Sequence, residues 1–245
     1  MRVIKNITLG SVLVICAATP ASAFPVGWIA SVRGSGSYTL VDIFVGVESS
    51  DKFLNVYNTN ISTTAIGGFY QAPGMSSKTW KPDTAGFTSS RESVDSFMTA
   101  GTFSGGAYGG QYYASSNSNG DPNFTGTSWN SFPTSLAATT VPFLAGWYTG
   151  DPTSIDNRAE SLAGLTGRIN GDTLAASASF GIWVGHLVLS NQTPATVYWA
   201  GNASIKDGNT GGTSDWSRAA TFEVPAPGGL ALGVSALFVV RRRRP

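Results

Sequence analysis

Short apolar runs alternate with clusters of Gly, Ser, Thr and Asn along most of the chain, and no segment holds a helical period for three turns. Strands are therefore expected to dominate. The pattern predicts them at Trp28–Val32, Tyr38–Val47, Phe53–Ile61, Gly68–Gln71, Ser96–Ala100, Leu144–Tyr148, Gly167–Asn170, Phe180–Leu189, Thr196–Ile205 and Ala220–Val224. Tyr38–Val47 is apolar at both parities, with Tyr38, Leu40 and Phe44 at one and Val41, Ile43 and Val45 at the other, as in a central strand. Asp42 stands among these apolar residues. One short helix is expected around Ile155–Leu165, capped by Asp151 or Ser154. Regular strands without βαβ alternation predict an all-β fold, an antiparallel two-sheet sandwich of jelly-roll-like type.

The two ends break this pattern. Arg2 and Lys5 precede an apolar stretch from Ile7 to Ala18 and a small-residue site whose cleavage residues are Ala21 and Ala23, the layout of a signal peptide over residues 1–23. At the other end Val224, Pro225, Ala226 and Pro227 lead into an apolar run from Leu230 to Val240, closed by Arg241, Arg242, Arg243 and Arg244. A proline-bracketed hinge, an apolar helix and terminal arginines make a stop that leaves the preceding chain outside a membrane. At 1.5 Å per residue, residues 228–240 span roughly 20 Å against a ~30 Å hydrocarbon core. Spanning then needs arginine snorkelling, a thinned bilayer or removal after sorting. An ordinary tail anchor and a buried helix with a solvated basic end are the competing readings, and the run lacks the polar face a buried amphipathic helix carries.

This tail resembles the PEP-CTERM sorting signal, or ice-binding protein C-terminal motif, of bacterial surface and exopolysaccharide-associated proteins. The resemblance covers about the last tenth of the chain and rests on Pro225, Ala226, Pro227 and the four arginines; Ala226 replaces the glutamate of the family's namesake triplet. It implies insertion in the inner membrane through residues 228–240, an exosortase-like processing enzyme as partner, and a destination at the cell surface or in the extracellular matrix. The expected organisation is thus a signal helix over 1–23, a sandwich over 24–222 and a sorting or anchor segment over 223–245.

Composition sharpens the picture of the body. The 245-residue chain carries a formal charge of +1, but without Arg2, Lys5 and the four terminal arginines nine basic residues face fourteen acidic ones, a net of −5. No basic patch with interleaved aromatics is present, so nucleic acid is not an expected partner. The single cysteine, Cys16, leaves with the signal peptide, so neither a disulfide nor a thiolate site is expected in the mature body.

Chemistry-bearing patterns are few. His186 is the only histidine, which excludes a histidine-rich metal centre, and its parity with Ile182, Val184 and Val188 reads as a core position. No Gly-x-Ser-x-Gly elbow surrounds a serine. Asp42, Glu48, Glu92, Asp95 and Glu160 are the carboxylates from which a glycosidase pair would have to come. Two oxygen-rich loops, 117–123 and 207–215, are calcium candidates, although neither matches an EF-hand. Trp80, Trp129 and Trp216 lie in polar surroundings and are the candidate ligand-stacking residues, because flat rings stack on sugars. Asn-x-Ser/Thr triplets begin at Asn60, Asn123, Asn191 and Asn202. The sequence therefore leads to an exported surface or matrix protein with a structural or adhesive role, no catalysis, no metal and no cofactor, with extracellular polysaccharide as a candidate partner. A carbohydrate-binding module is the second reading and a glycoside hydrolase the third.

Overall fold

The computed structural model describes residues 27–47, 52–70, 80, 94–99, 137–138, 140–141, 143–148, 160–171, 178–190, 194–206 and 211–226. They form twelve strands: β1 (Gly27–Ser35), β2 (Tyr38–Val47), β3 (Lys52–Thr63), β4 (Phe69–Tyr70), β5 (Phe97–Met98), β6 (Ala137–Ala138), β7 (Ala145–Tyr148), β8 (Glu160–Ser161), β9 (Arg168–Asn170), β10 (Phe180–Ser190), β11 (Ala195–Lys206) and β12 (Thr213–Val224). The larger sheet has the order β6-β4-β10-β2-β1-β9, with β5 and β8 also pairing with β10. The smaller has the order β12-β11-β3-β7, and every pairing is antiparallel. Hairpins join β1 to β2 and β11 to β12, whereas β2 to β3 and β10 to β11 pass from one sheet to the other. The β1–β2 hairpin closes with two residues between the paired Ser35 and Tyr38; Gly36 takes the positive φ of 56° that a tight two-residue loop needs at its first position.

The strand patterns explain the layering. Every residue of β2 after Tyr38 is buried, and β10 is buried from Gly181 to Leu189, so the larger sheet is covered on both faces. In contrast, β11 alternates buried and partly exposed residues over Ala195–Asn202, and β12 buries only Trp216, Ala220, Phe222 and Val224, so the smaller sheet turns one face to water. Between the sheets runs a line of indoles. Trp28 lies 4.9 Å from Trp216 and 5.6 Å from Trp199, which meets Trp147 edge-on at 6.0 Å. Two indole N–H groups reach backbone carbonyls, Trp28 on Arg218 at 3.1 Å and Trp147 on Thr99 at 2.8 Å. Val41, Ile43, Val45, Leu187 and Val197 complete this core. Burial of each such side chain stabilises the fold by roughly 1.5–3 kcal/mol.

The expected strands form, Tyr38–Val47 with the bounds read from the pattern, and the others mostly longer or shorter at their ends. The last strand differs most, starting at Thr213 rather than Ala220, because its polar outward residues hide the alternation. The helix expected around Ile155–Leu165 is not seen in its described part. Glu160–Ser161 pairs with β10, and Leu162–Gly164 is a single 3-10 turn whose apolar residue, Leu162, plugs the face of the larger sheet. Asp151 and Ser154 lie outside the described residues. So do residues 1–23, with Ala21 and Ala23, and residues 227–245, with Pro227 and Arg241 to Arg244. Among the described residues no helix is long and apolar enough to cross a membrane.

Candidate functional site

The covered face of the larger sheet holds the polar cluster of the fold. Asp42 pairs in register with His186 on one side and Ser31 on the other, which sets the three side chains in a row across β1, β2 and β10. His186 Nδ1 lies 2.6 Å from Asp42 Oδ1, and Arg33 Nη2 donates to Asp42 Oδ2 at 2.6 Å. Asp42 and His186 are fully buried, while the Arg33 side chain keeps 18% of its exposure. Phe97 stacks on the imidazole at 4.9 Å and 24°, and Trp183 meets it edge-on at 5.9 Å. Ser31 donates its hydroxyl to Thr166 O at 2.7 Å, and Ser96 Oγ accepts from Val188 N at 2.9 Å. Both carboxylate oxygens are thus engaged and the imidazole is walled by aromatic rings, so the arrangement ties three strands together in a low-dielectric layer.

One irregularity creates this cluster. Strand β10 slips in register against β2 between Trp183 and Gly185, leaving Val184 as the extra residue of a β-bulge. Val184 and Gly185 then both turn towards the smaller sheet, where Gly185 sits so close to Trp199 that a Cβ would lie 2.8 Å from its ring. The Trp183 indole donates to Gly185 O at 2.9 Å and so braces the bulge. Beyond it the parity is reversed. His186 does not share a face with Ile182 and Val184, as strict alternation predicts, but lies on the opposite one with Trp183 and Val188.

A second polar group lies near one end of this sheet. The rings of Tyr38 and Tyr70 stand 4.5 Å apart. The hydroxyl hydrogen bond with Tyr38, ahead of burial and the charges of Tyr38 and Asp95, pushes Tyr70 up to about 12. Of the carboxylates weighed for a glycosidase pair, Asp42 and Asp95 are buried, Glu160 belongs to β8, and Glu48 and Glu92 lie outside the described residues. Among the described residues no three metal-ligating side chains cluster. Loop 117–123 and residues 207–210 lie outside them.

The candidate stacking tryptophans require correction. Trp80 is fully buried and packs edge-on against Phe69 at 5.6 Å. Trp216 is only 8% exposed, because it belongs to β12 rather than to a loop and points between the sheets at Trp28. Neither offers a ring to a ligand, and Trp129 lies outside the described residues. Val224 is likewise not a free part of the tail. It pairs with Ala195 at the end of β12 and is 3% exposed in the core, so the folded body runs two residues past the expected boundary at 222. Pro225 lines a groove of about 410 Å³ with Val32, Ile169 and Pro194, and Ala226 follows half-buried.

The open face of the smaller sheet carries what sequence reasoning missed. From β3 it presents Asn55, Tyr57, Asn60 and Ser62; from β11, Thr196, Tyr198, Ala200 and Asn202. The edge strand β12 adds Ser217, Ala219 and Thr221, all exposed. The two acids that bound this face are held by hydroxyls, Glu223 by Thr196 at 3.2 Å and Asp215 by Ser204. Asn60 and Asn202, which begin Asn-x-Ser triplets, both belong to this face. The signal was present in the every-second-residue spacing of Thr196, Tyr198, Ala200 and Asn202, once the strand was known to be half-covered.

Comparison of the chain with protein-family models, with characterised proteins and with solved structures returned no match.

Proposed function

We propose that the protein is exported, that its tail sorts or anchors it at the cell surface or in the extracellular matrix, and that its sandwich serves there as a structural or adhesive module without catalysis. The supporting observation is the way the body ends. Val224 completes the last pairing of β12 and its side chain finishes the core, so everything from Pro225 onward follows a closed domain. Pro225 lacks an N–H to extend the ladder and Ala226 is only half-buried, so chain leaves the sandwich at its rim. An apolar run and four arginines that follow a completed strand in the sequence suit entry into a membrane or a processing enzyme. Burial of the six described tryptophans, Trp28, Trp80, Trp147, Trp183, Trp199 and Trp216, favours the structural reading over a tryptophan-based sugar platform. A jelly-roll-like winding is supported by the crossings β2 to β3 and β10 to β11, while the hairpins β1–β2 and β11–β12 depart from it. The N-terminal signal helix and the C-terminal membrane helix are part of the same proposal.

Intact mass of the protein from fractionated native cells tests this reading. The expected result is an envelope or extracellular species lacking residues 1–23, with a cut near Pro225–Gly228 if an exosortase-like enzyme acts. An envelope protein that keeps its arginines removes the processing enzyme from the proposal. A soluble cytoplasmic species beginning at Met1 overturns export itself.

A further inference from the structure

We infer that the open face of the smaller sheet is a binding surface for a neutral, linear polysaccharide, with Tyr57 and Tyr198 as its two ring contacts. The inference deepens the adhesive reading above and rests on it. Three successive rows of this face, those containing Tyr198, Ala200 and Asn202, carry no charged side chain, although solvent-facing sheet surfaces ordinarily draw their solubility from charge. Hydroxyls and amides replace it. Tyr198 pairs with Ser62 and Asn202 pairs with Tyr57, so the two tyrosines stand four residues apart along β11, roughly 13 Å at 3.3 Å per residue, and one strand apart across it. Both are partly exposed. Between them lie Ala200 and Asn60, with Ala219 beside Ala200 on the edge strand, and these short side chains let a chain of sugar rings settle against the sheet and reach both tyrosines.

An anionic polymer is disfavoured, since the carboxylates of Asp215 and Glu223 stand at the two ends, while Arg218 between them on β12 has the parity opposite to Ser217 and Ala219 and donates to the Ser217 carbonyl.

The test is native affinity electrophoresis of the full chain, extracted in mild detergent, through gels containing hydroxyethylcellulose, dextran or alginate. The expected result is retardation by the neutral linear glucan. Replacing both rings, Tyr57→Thr with Tyr198→Thr, keeps strand-forming residues and is expected to weaken binding by about tenfold or more. Tyr57→Phe with Tyr198→Phe keeps the rings and is expected to retain binding within about threefold. Should the threonine pair fail to fold, Ala219→Lys sets a long charged side chain on the exposed edge strand beside Ala200 and is likewise expected to weaken binding. Absence of retardation by both neutral polymers, retardation by alginate alone, or retardation that survives the ring replacements and Ala219→Lys overturns the inference. Cell fractionation reads the export proposal separately, so an envelope protein indifferent to glucan removes the binding face and leaves export standing.

Discussion

Asp42 and His186 sit opposite each other on neighbouring strands, fully buried, with Oδ1 and Nδ1 2.6 Å apart and Arg33 closing the other carboxylate oxygen. Loss of one partner strands the rest in an apolar layer walled by Phe97 and Trp183. His186→Ala and Asp42→Ala are each expected to lower stability by about 3–5 kcal/mol. The double variant should lose less than the sum, with a coupling of about 0.5–3 kcal/mol. Urea unfolding of the four-member cycle checks this, and strict additivity would count against a mutual interaction.

Tyr70 gives a pH signature at the alkaline end. Its proton is held to about 12 against an ordinary 10.0, first by the hydrogen bond with Tyr38. The folded chain therefore binds this proton more tightly than the unfolded chain, so its stabilising effect is whole below pH 10 and is lost as pH rises towards 12. Phenolate absorbance is expected to show one late-titrating tyrosine that disappears in Tyr70→Phe and moves towards the ordinary range in Tyr38→Phe.

The bulge in β10 leaves no room at Gly185, where a Cβ would meet Trp199 at 2.8 Å and a second ring atom at 3.1 Å. Trp199 is held by Trp28 and Trp147 and cannot swing aside. Gly185→Ala is expected to cost about 1–3 kcal/mol by overpacking. Thermal melting checks it, and an unchanged Tm would mean that the indole stack yields.

The end of the domain makes the sharpest contrast along the chain. Phe222 is fully buried in the inter-sheet core, so Phe222→Ala is expected to cost about 3–5 kcal/mol. Deleting residues 227–245 removes chain that follows the last paired residue, Val224, and should leave the urea midpoint close to that of the full chain. A large loss on that deletion would show that the tail contributes to the body after all.

The legibility of the fold varied with the kind of strand. Tyr38–Val47 was readable to the residue because a strand covered on both faces is continuously apolar, and turn residues flank it. The first half of β12 was not, since Thr213, Asp215 and Ser217 read as loop when only one face of an edge strand is covered. Trp216 reads as a surface residue in the sequence for the same reason. Of the polar cluster, Asp42 and His186 each stood out by position, yet nothing in either local pattern joined residues separated by 144 positions.

What the sequence determined by itself was the strand-rich class, the interruption of an apolar strand by Asp42, and two terminal segments whose composition differs from the body. These are local properties, fixed by side-chain periodicity and turn chemistry over a few residues. Tertiary structure alone decided which strands became neighbours, and through them that Asp42 met His186 and that Tyr57 and Tyr198 shared an open face. It also decided the direction in which His186 points. Alternation predicts a side chain's face only while the ladder stays regular, and the extra residue Val184, accommodated where Gly185 packs under Trp199, reverses the parity of every residue after it in β10.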